Sequence, residues 1–221
     1  MSKQSAVIVG AGPGIGLSVA KAFGNKGYRV ILVSRKSESL NQLVEELVSA
    51  NIEAYGVQGD AGDTESIGAA FQHIKASYGA PEVLVYNAAA LQSGLPTTLT
   101  PDQLSRELTV NVSGALASVL QVIPGQEELG RGTILFTGGG FALHPSTKYA
   151  SLSLGKAALR SLAFSLGEEL APKGIHVGVV TIAGYVAKDT YFDPDRIAEV
   201  YWDLHANRQG HEVIYQETQA S

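Results

Sequence analysis

The chain has 221 residues, 45% of them apolar and 17% charged, with 16 Lys and Arg against 21 Asp and Glu for a formal charge of −5. This length and apolar share support a buried core and exclude disorder as the default. The absence of cysteine excludes a disulfide scaffold, thiolate metal sites and a cysteine nucleophile. No basic block is present, so nucleic-acid binding by phosphate neutralisation is not expected. No stretch of roughly 18 apolar residues is seen, so no membrane association is expected. Met1-Ser-Lys-Gln has no signal-peptide anatomy, and a cytoplasmic location is the expectation. The five histidines are scattered and no metal site is expected.

The pattern alternates strand and helix. Ala6–Val9 is an apolar run ending at glycine, the signal of a buried strand. A helix over Ile15–Asn25 follows, stopped by Gly24 and Gly27. Tyr28–Val33 reads as the second strand. Ser37 is read as the cap of a helix with Leu40, Leu43, Val44 and Leu47 on one face. Ala54–Gln58 is the third strand. Asp63 caps a helix carrying Ile67, Ala70, Phe71 and Ile74. Val83–Tyr86 is the fourth strand. Thr100-Pro101-Asp102-Gln103 reads as a capping box with proline at the first helical position, opening a helix to about Ile123.

Thr133–Thr137 is the fifth strand, and a long helix over about Ser146–Ala171 follows it. His176–Ile182 is the sixth strand. Asp193-Pro194 opens a last helix with Ile197, Val200, Tyr201 and Leu204 facing inward. An internal echo, Asn25-Lys-Gly-Tyr-Arg-Val and Pro172-Lys-Gly-Ile-His-Val, puts a helix-ending glycine before a strand twice. Apolar strands separated by helices predict a mainly parallel sheet of about six to seven strands, covered on both faces. The expected architecture is one doubly wound α/β domain of Rossmann type over residues 1–221.

The first strand runs into Gly10-Ala-Gly-Pro-Gly14-Ile15-Gly16, with Gly12 the fourth glycine in seven residues. Such a turn lets backbone approach a pyrophosphate, and the helix behind it offers free N–H groups and a favourable dipole. Ser34-Arg35-Lys36 follows the second strand, where an acid would select a free ribose 2′-hydroxyl. Arg35 suits a bidentate contact with a 2′-phosphate, which favours NADP(H) over NAD(H). Asp60, next to Ala61, either accepts from an adenine amino group or caps its own loop.

With these residues the chain resembles the short-chain dehydrogenases/reductases over nearly its whole length. The glycine spacing at Gly10, Gly14 and Gly16 is the family's, with Val9 in place of its threonine. Tyr86-Asn87-Ala88-Ala89 is similar to the family's Asn-Asn-Ala-Gly. Asn111 matches its catalytic asparagine, Lys156 its catalytic lysine, and Gly184 the glycine after its sixth strand. The resemblance implies cofactor contacts from Lys156, Asn87, Ala88 and Gly184, a carbonyl or alcohol as substrate, and a homodimer or homotetramer.

The family's catalytic tyrosine stands four residues before the lysine, where this chain has Leu152. Its serine falls at about Gly139. Tyr149 and His144 are candidate replacement acids, with Tyr185 behind them. Tyr149 and Lys156 are seven residues apart, about 10.5 Å of helical rise, so lysine would reach the phenol only through water. Ser151 and Ser153 point away from the Lys156 face. An apolar residue at the tyrosine position and the ending Tyr201-Trp202-Asp203-Leu204-His205 resemble an atypical branch of the family; the same segment also reads as a helix burying aromatic residues. Only about ten residues separate Gly184 from Pro194, so a more open or smaller pocket is expected, completed by Tyr191, Phe192 or a neighbouring subunit.

Overall fold

The structure is a computed structural model and describes residues 3–217. Seven strands form one parallel sheet in the order β3-β2-β1-β4-β5-β6-β7. They are β1 Ser5–Val9, β2 Arg29–Ser34, β3 Ala54–Gln58, β4 Val83–Tyr86, β5 Gly132–Thr137, β6 Ile175–Ile182 and β7 Glu212–Tyr215. The order reverses between β1 and β4, which opens a crevice beyond their carboxyl ends.

Strand residues alternate between two cores. Ala6 and Ile8 pack under α1 Ile15–Asn25, α2 Ser37–Ser49 and α7 Pro194–Asn207. Val7 and Val9 pack under α3 Thr64–Tyr78, α5 Gly114–Leu129 and α6 Ala150–Leu170 on the other face. The apolar positions read from the sequence are the ones that face these cores. Leu40, Leu43 and Leu47 are buried on α2, and Ile67, Ala70, Phe71 and Ile74 on α3. The echoed glycines both take left-handed backbone, Gly27 at φ +92 and Gly174 at φ +75.

Several boundaries differ from the sequence reading, each for a local reason. Gly24 lies inside α1, where any Cβ would sit 2.3 Å from the Ile52 side chain. Ser37 is the first helical residue rather than the cap, which is Lys36 with no side-chain bond. Thr100 does accept from Gln103 N, but the Gln103 side chain donates to Glu107 at 2.9 Å, so only half the capping box forms.

The helix opened there breaks its register. α4 Pro101–Leu108 passes into one π-helical turn, Thr109–Ser113, before α5. Tyr86 anchors that turn by donating to Val110 O. Pro124 does not stop α5, which ends six residues past Ile123 at Leu129, with left-handed Gly130 as the stop. Taken together, Pro101–Leu129 is long and apolar enough in composition to cross a membrane. Here it forms part of one layer of the domain, with Ala115, Val119 and Val122 of α5 packed in the core. The long helix begins at Ala150 rather than near Ser146.

Candidate cofactor and active site

β1 turns sharply at Gly10, whose φ is +82. A Cβ there would lie 2.3 Å from Ala88 N, so both conformation and space demand glycine. Gly10 N and Ala11 N both donate to Val33 O, at 2.9 and 3.1 Å. Gly12 and Gly14 face open space, whereas a Cβ on Gly16 would touch Ala11 at 3.0 Å. α1 therefore starts hard against the turn. Its cap, Gly14, offers no side-chain acceptor, which leaves the first amides, Ile15 and Gly16 among them, for a ligand.

A cavity of about 620 Å³ lies beside this turn, walled by Gly10, Ser34, Arg35, Asp60, Asn87 and Val110 among others. Arg35 is exposed at its rim and makes no ion pair among the described residues. Asp60 also lines the cavity, and its Oδ1 accepts from Gly62 N at 2.8 Å. This is the loop-capping contact, made by one of the two carboxylate oxygens. Ala61 closes against α5, where a Cβ on Gly114 would lie 2.1 Å from Ala61 O.

The reacting side lies across β4 and β5. Asn111 sits within the π-helical turn, buried, with Oδ1 accepting from Ala90 N at 2.8 Å and Nδ2 unpartnered. α6 approaches this turn closely: a Cβ on Gly155 would lie 2.7 Å from Asn111. Lys156, one residue on, is buried, and its Nζ donates to Thr137 O at 2.6 Å. Burial lowers this amine from 10.5 to about 8.

A Cβ on Gly139 would meet the Lys156 stem at 3.6 Å, ordinary contact, so a side chain could stand there and none does. Leu152 is buried on the same helix. Ser151 donates to buried Glu107, and Ser153 Oγ donates to Tyr149 O and accepts from Ser146 N, so neither serves Lys156.

The candidate acids are held elsewhere. Tyr149 caps α6 with its ring stacked on Phe141, centroids 5.6 Å apart at 18°, and Lys148 Nζ lies 5.6 Å above it. His144 is exposed in the preceding loop, and Tyr185 is 87% exposed. The Phe192 ring packs against Gly184, so close that a Cβ there would overlap it at 2.0 Å. Phe192 in turn stacks edge-on with Tyr191 and Tyr215, a compact aromatic cover in place of a long lid.

Two features of the site were not legible in the sequence. One is the π-helical turn that seats Asn111. The other is the bonding of Asn87, whose Nδ2 donates to Gly10 O at 2.9 Å and whose Oδ1 accepts from Thr137 Oγ1 at 2.9 Å. Threonine at a strand end before three glycines was the available signal.

An uncapped helix behind a glycine turn, at the point where a parallel sheet reverses its order, defines a dinucleotide-binding α/β protein. The described residues fit such a group: the turn is open at Gly12 and Gly14, and a cation stands after β2.

The model of the short chain dehydrogenase family matches residues 4–192, and the chain belongs to that family. A very-long-chain 3-oxoacyl-CoA reductase of Emericella nidulans is 32% identical over 184 residues, 79% of this chain and 52% of that protein. Dehydrogenase/reductase SDR family member 4 of Sus scrofa is 29% identical over 181 residues, 80% of this chain and 64% of that protein. The chain thus spans about half the length of the first of these relatives. Among solved structures, a metagenomic short-chain oxidoreductase in complex with NADP is 29% identical with a TM-score of 0.87, covering 97% of both chains. The actinorhodin polyketide ketoreductase with NADPH is 25% identical with a TM-score of 0.89, covering 96% of both.

Proposed function

We propose that this chain is an NADPH-dependent oxidoreductase acting on a small carbonyl or alcohol compound, with a reduced catalytic set. The observation that carries the reading is Lys156. A buried amine fixed on Thr137 O, beside a built dinucleotide turn, has no packing purpose that methionine would not serve better. Similarity to reductases, and to structures holding NADP or NADPH, supports it.

Bound NADPH would supply the hydride. The glycine turn and the first amides of α1 would hold its pyrophosphate, and Arg35 would pair with its 2′-phosphate. Lys156 would hold its ribose, and Asn111 keeps the π-helical turn against Ala90. Gly184 would contact the cofactor as well. Proton delivery falls to water, or to Tyr149 or His144, because Leu152 and Gly139 carry no acidic group. Loss of a positioned general acid lowers rates by about 10²–10⁴, so this reading expects slow turnover.

The second reading, a catalytically silent NADPH-binding protein acting as a redox sensor or oligomeric scaffold, is favoured by the same Leu152 and Gly139. For both readings we place the chain in the cytoplasm as a homodimer or homotetramer, with the exposed Leu120 and Leu154 on outer helix faces supporting association.

Fluorescence titration with NADPH and NADH is the test. Tight NADPH binding that weakens for NADH and in Arg35→Ala is the expected result; no binding of either would sink both readings. Cofactor-stoichiometric turnover with any member of a carbonyl panel then selects the first reading.

A further inference from the structure

Tyr201 reaches from α7 into the interior and is fully buried. Its hydroxyl meets Oγ1 of Thr137, the last residue of β5, at 2.7 Å. Thr137 has a single hydroxyl hydrogen, and that hydrogen goes to Asn87 Oδ1. Toward Tyr201 the threonine can therefore only accept, and the phenol must donate. The Asn87 amide continues the line to Gly10 O. The backbone carbonyl of the same Thr137 accepts from Lys156 Nζ. One line of hydrogen bonds thus runs from the last helix across the ends of β5 and β4 to the glycine turn, with the lysine attached at its middle.

Packing alone does not call for the hydroxyl. A phenylalanine would fill the same volume, and burying a phenol costs free energy unless its O–H is bonded. Without the phenol, the Thr137 hydroxyl is free to rotate and donate elsewhere, and Asn87 loses the bond that orients its amide. We propose that Tyr201 is a positioning residue that locks the Thr137 hydroxyl, and through it the Gly10 turn and the seat of Lys156. The geometry stands by itself; only its purpose, readiness for the cofactor, rests on the reading above.

α7 supplies its own control. Tyr28 OH is bonded to His205 Nε2 at 2.9 Å, and His205 Nδ1 to Thr133 Oγ1 at 2.9 Å. This second buried tyrosine ties α7 to the start of β5, away from the glycine turn. Tyr201→Phe, Tyr28→Phe and Thr137→Val in the full chain are compared by three readouts. These are amide exchange at Gly10, Ala11 and Asn87, the NMR titration of the Lys156 amine, and NADPH affinity.

Removing one buried neutral hydrogen bond predicts about 5- to 10-fold faster exchange at those amides and a similar loss of NADPH affinity in Tyr201→Phe. The Lys156 titration shifts as well. Thr137→Val gives the same changes, and the double variant is no worse, because the two hydroxyls act as one unit. Tyr28→Phe lowers the melting temperature and leaves all three readouts in place. Turn amides and lysine titration that stay unchanged in both Tyr201→Phe and Thr137→Val overturn the proposal. If the wild type does not bind NADPH while those two readouts still move, the cofactor reading fails and the positioning role stands.

Discussion

The two halves of the crevice differ in how completely they are built. On the nucleotide side, Gly10 is pressed on Ala88, Gly16 on Ala11, and Asn87 is bonded on both ends of its amide. A Cβ on Gly10 or Gly16 collides with backbone. On the reacting side, Gly139 leaves room for a small side chain in ordinary contact with the Lys156 stem, Leu152 is apolar, and Asn111 Nδ2 has no partner among the described residues. Cofactor binding needs backbone geometry, which tolerates little change. On the proposed reading, proton transfer depends on side chains, which can be exchanged without disturbing a single strand. A fold can therefore keep its ligand site while its chemistry slows.

The largest effect is expected from Gly10→Ala. Left-handed backbone costs roughly 1–2 kcal/mol for alanine, and the overlap with Ala88 adds to it. NADPH affinity should fall by on the order of 100-fold or the chain should not fold, as read by titration and circular dichroism. Acid should act next, and globally. His176 and His205 are held at about 4 instead of 6.5, chiefly by burial, then by His211 and Arg208 for the first and by Arg208 for the second. Below pH 6.5 the unfolded chain takes up protons that the folded one refuses, so stability falls steadily toward pH 4, by on the order of 2 kcal/mol per histidine. Denaturant midpoints measured across this range, in wild type and in His205→Gln, check the slope.

Arg35→Ala is expected to weaken NADPH by about 10- to 100-fold while NADH changes little, since only the 2′-phosphate contact is lost. That result would sharpen the contrast, and equal losses for both cofactors would break it. Lys156 gives a signal of the same sign as the histidines, in a higher pH window. Between pH 8 and 10.5 the folded lysine has lost a proton that the unfolded chain keeps, so this residue adds stability as pH rises. Lys156→Met should flatten that rise and also lower NADPH affinity. The smallest effects are expected at Tyr149→Phe and His144→Gln: no more than a few-fold in turnover, with water supplying the proton, whereas a loss of about 10²-fold in either variant would assign proton delivery to that residue.

Much of this molecule could be read from its sequence because its strands are apolar runs stopped by glycine or turn residues. Ala6–Val9 into Gly10 and Val83–Tyr86 into Asn87 are examples, and with the helices between them they define the sheet and the nucleotide turn. β7 was not placed because Glu212-Val-Ile-Tyr215 is short, half-exposed and paired on one side only. The π-helical turn left no periodic trace, since widening one turn changes backbone and not composition. Tyr201 was read as packing, which it is; its bond to a threonine 64 residues away has no local signature.

The most direct measurement is NADPH affinity and steady-state turnover, side by side, in the wild type and in the double variant Gly139→Ser with Leu152→Tyr, over a panel of small ketones. The wild type should bind NADPH and turn over slowly or not at all. The double variant should keep that affinity within a few-fold and gain about 10²–10⁴ in rate. A wild type already as fast as the double variant, or a double variant that binds NADPH equally well and gains nothing, would contradict the account of an intact nucleotide half beside an emptied reacting half.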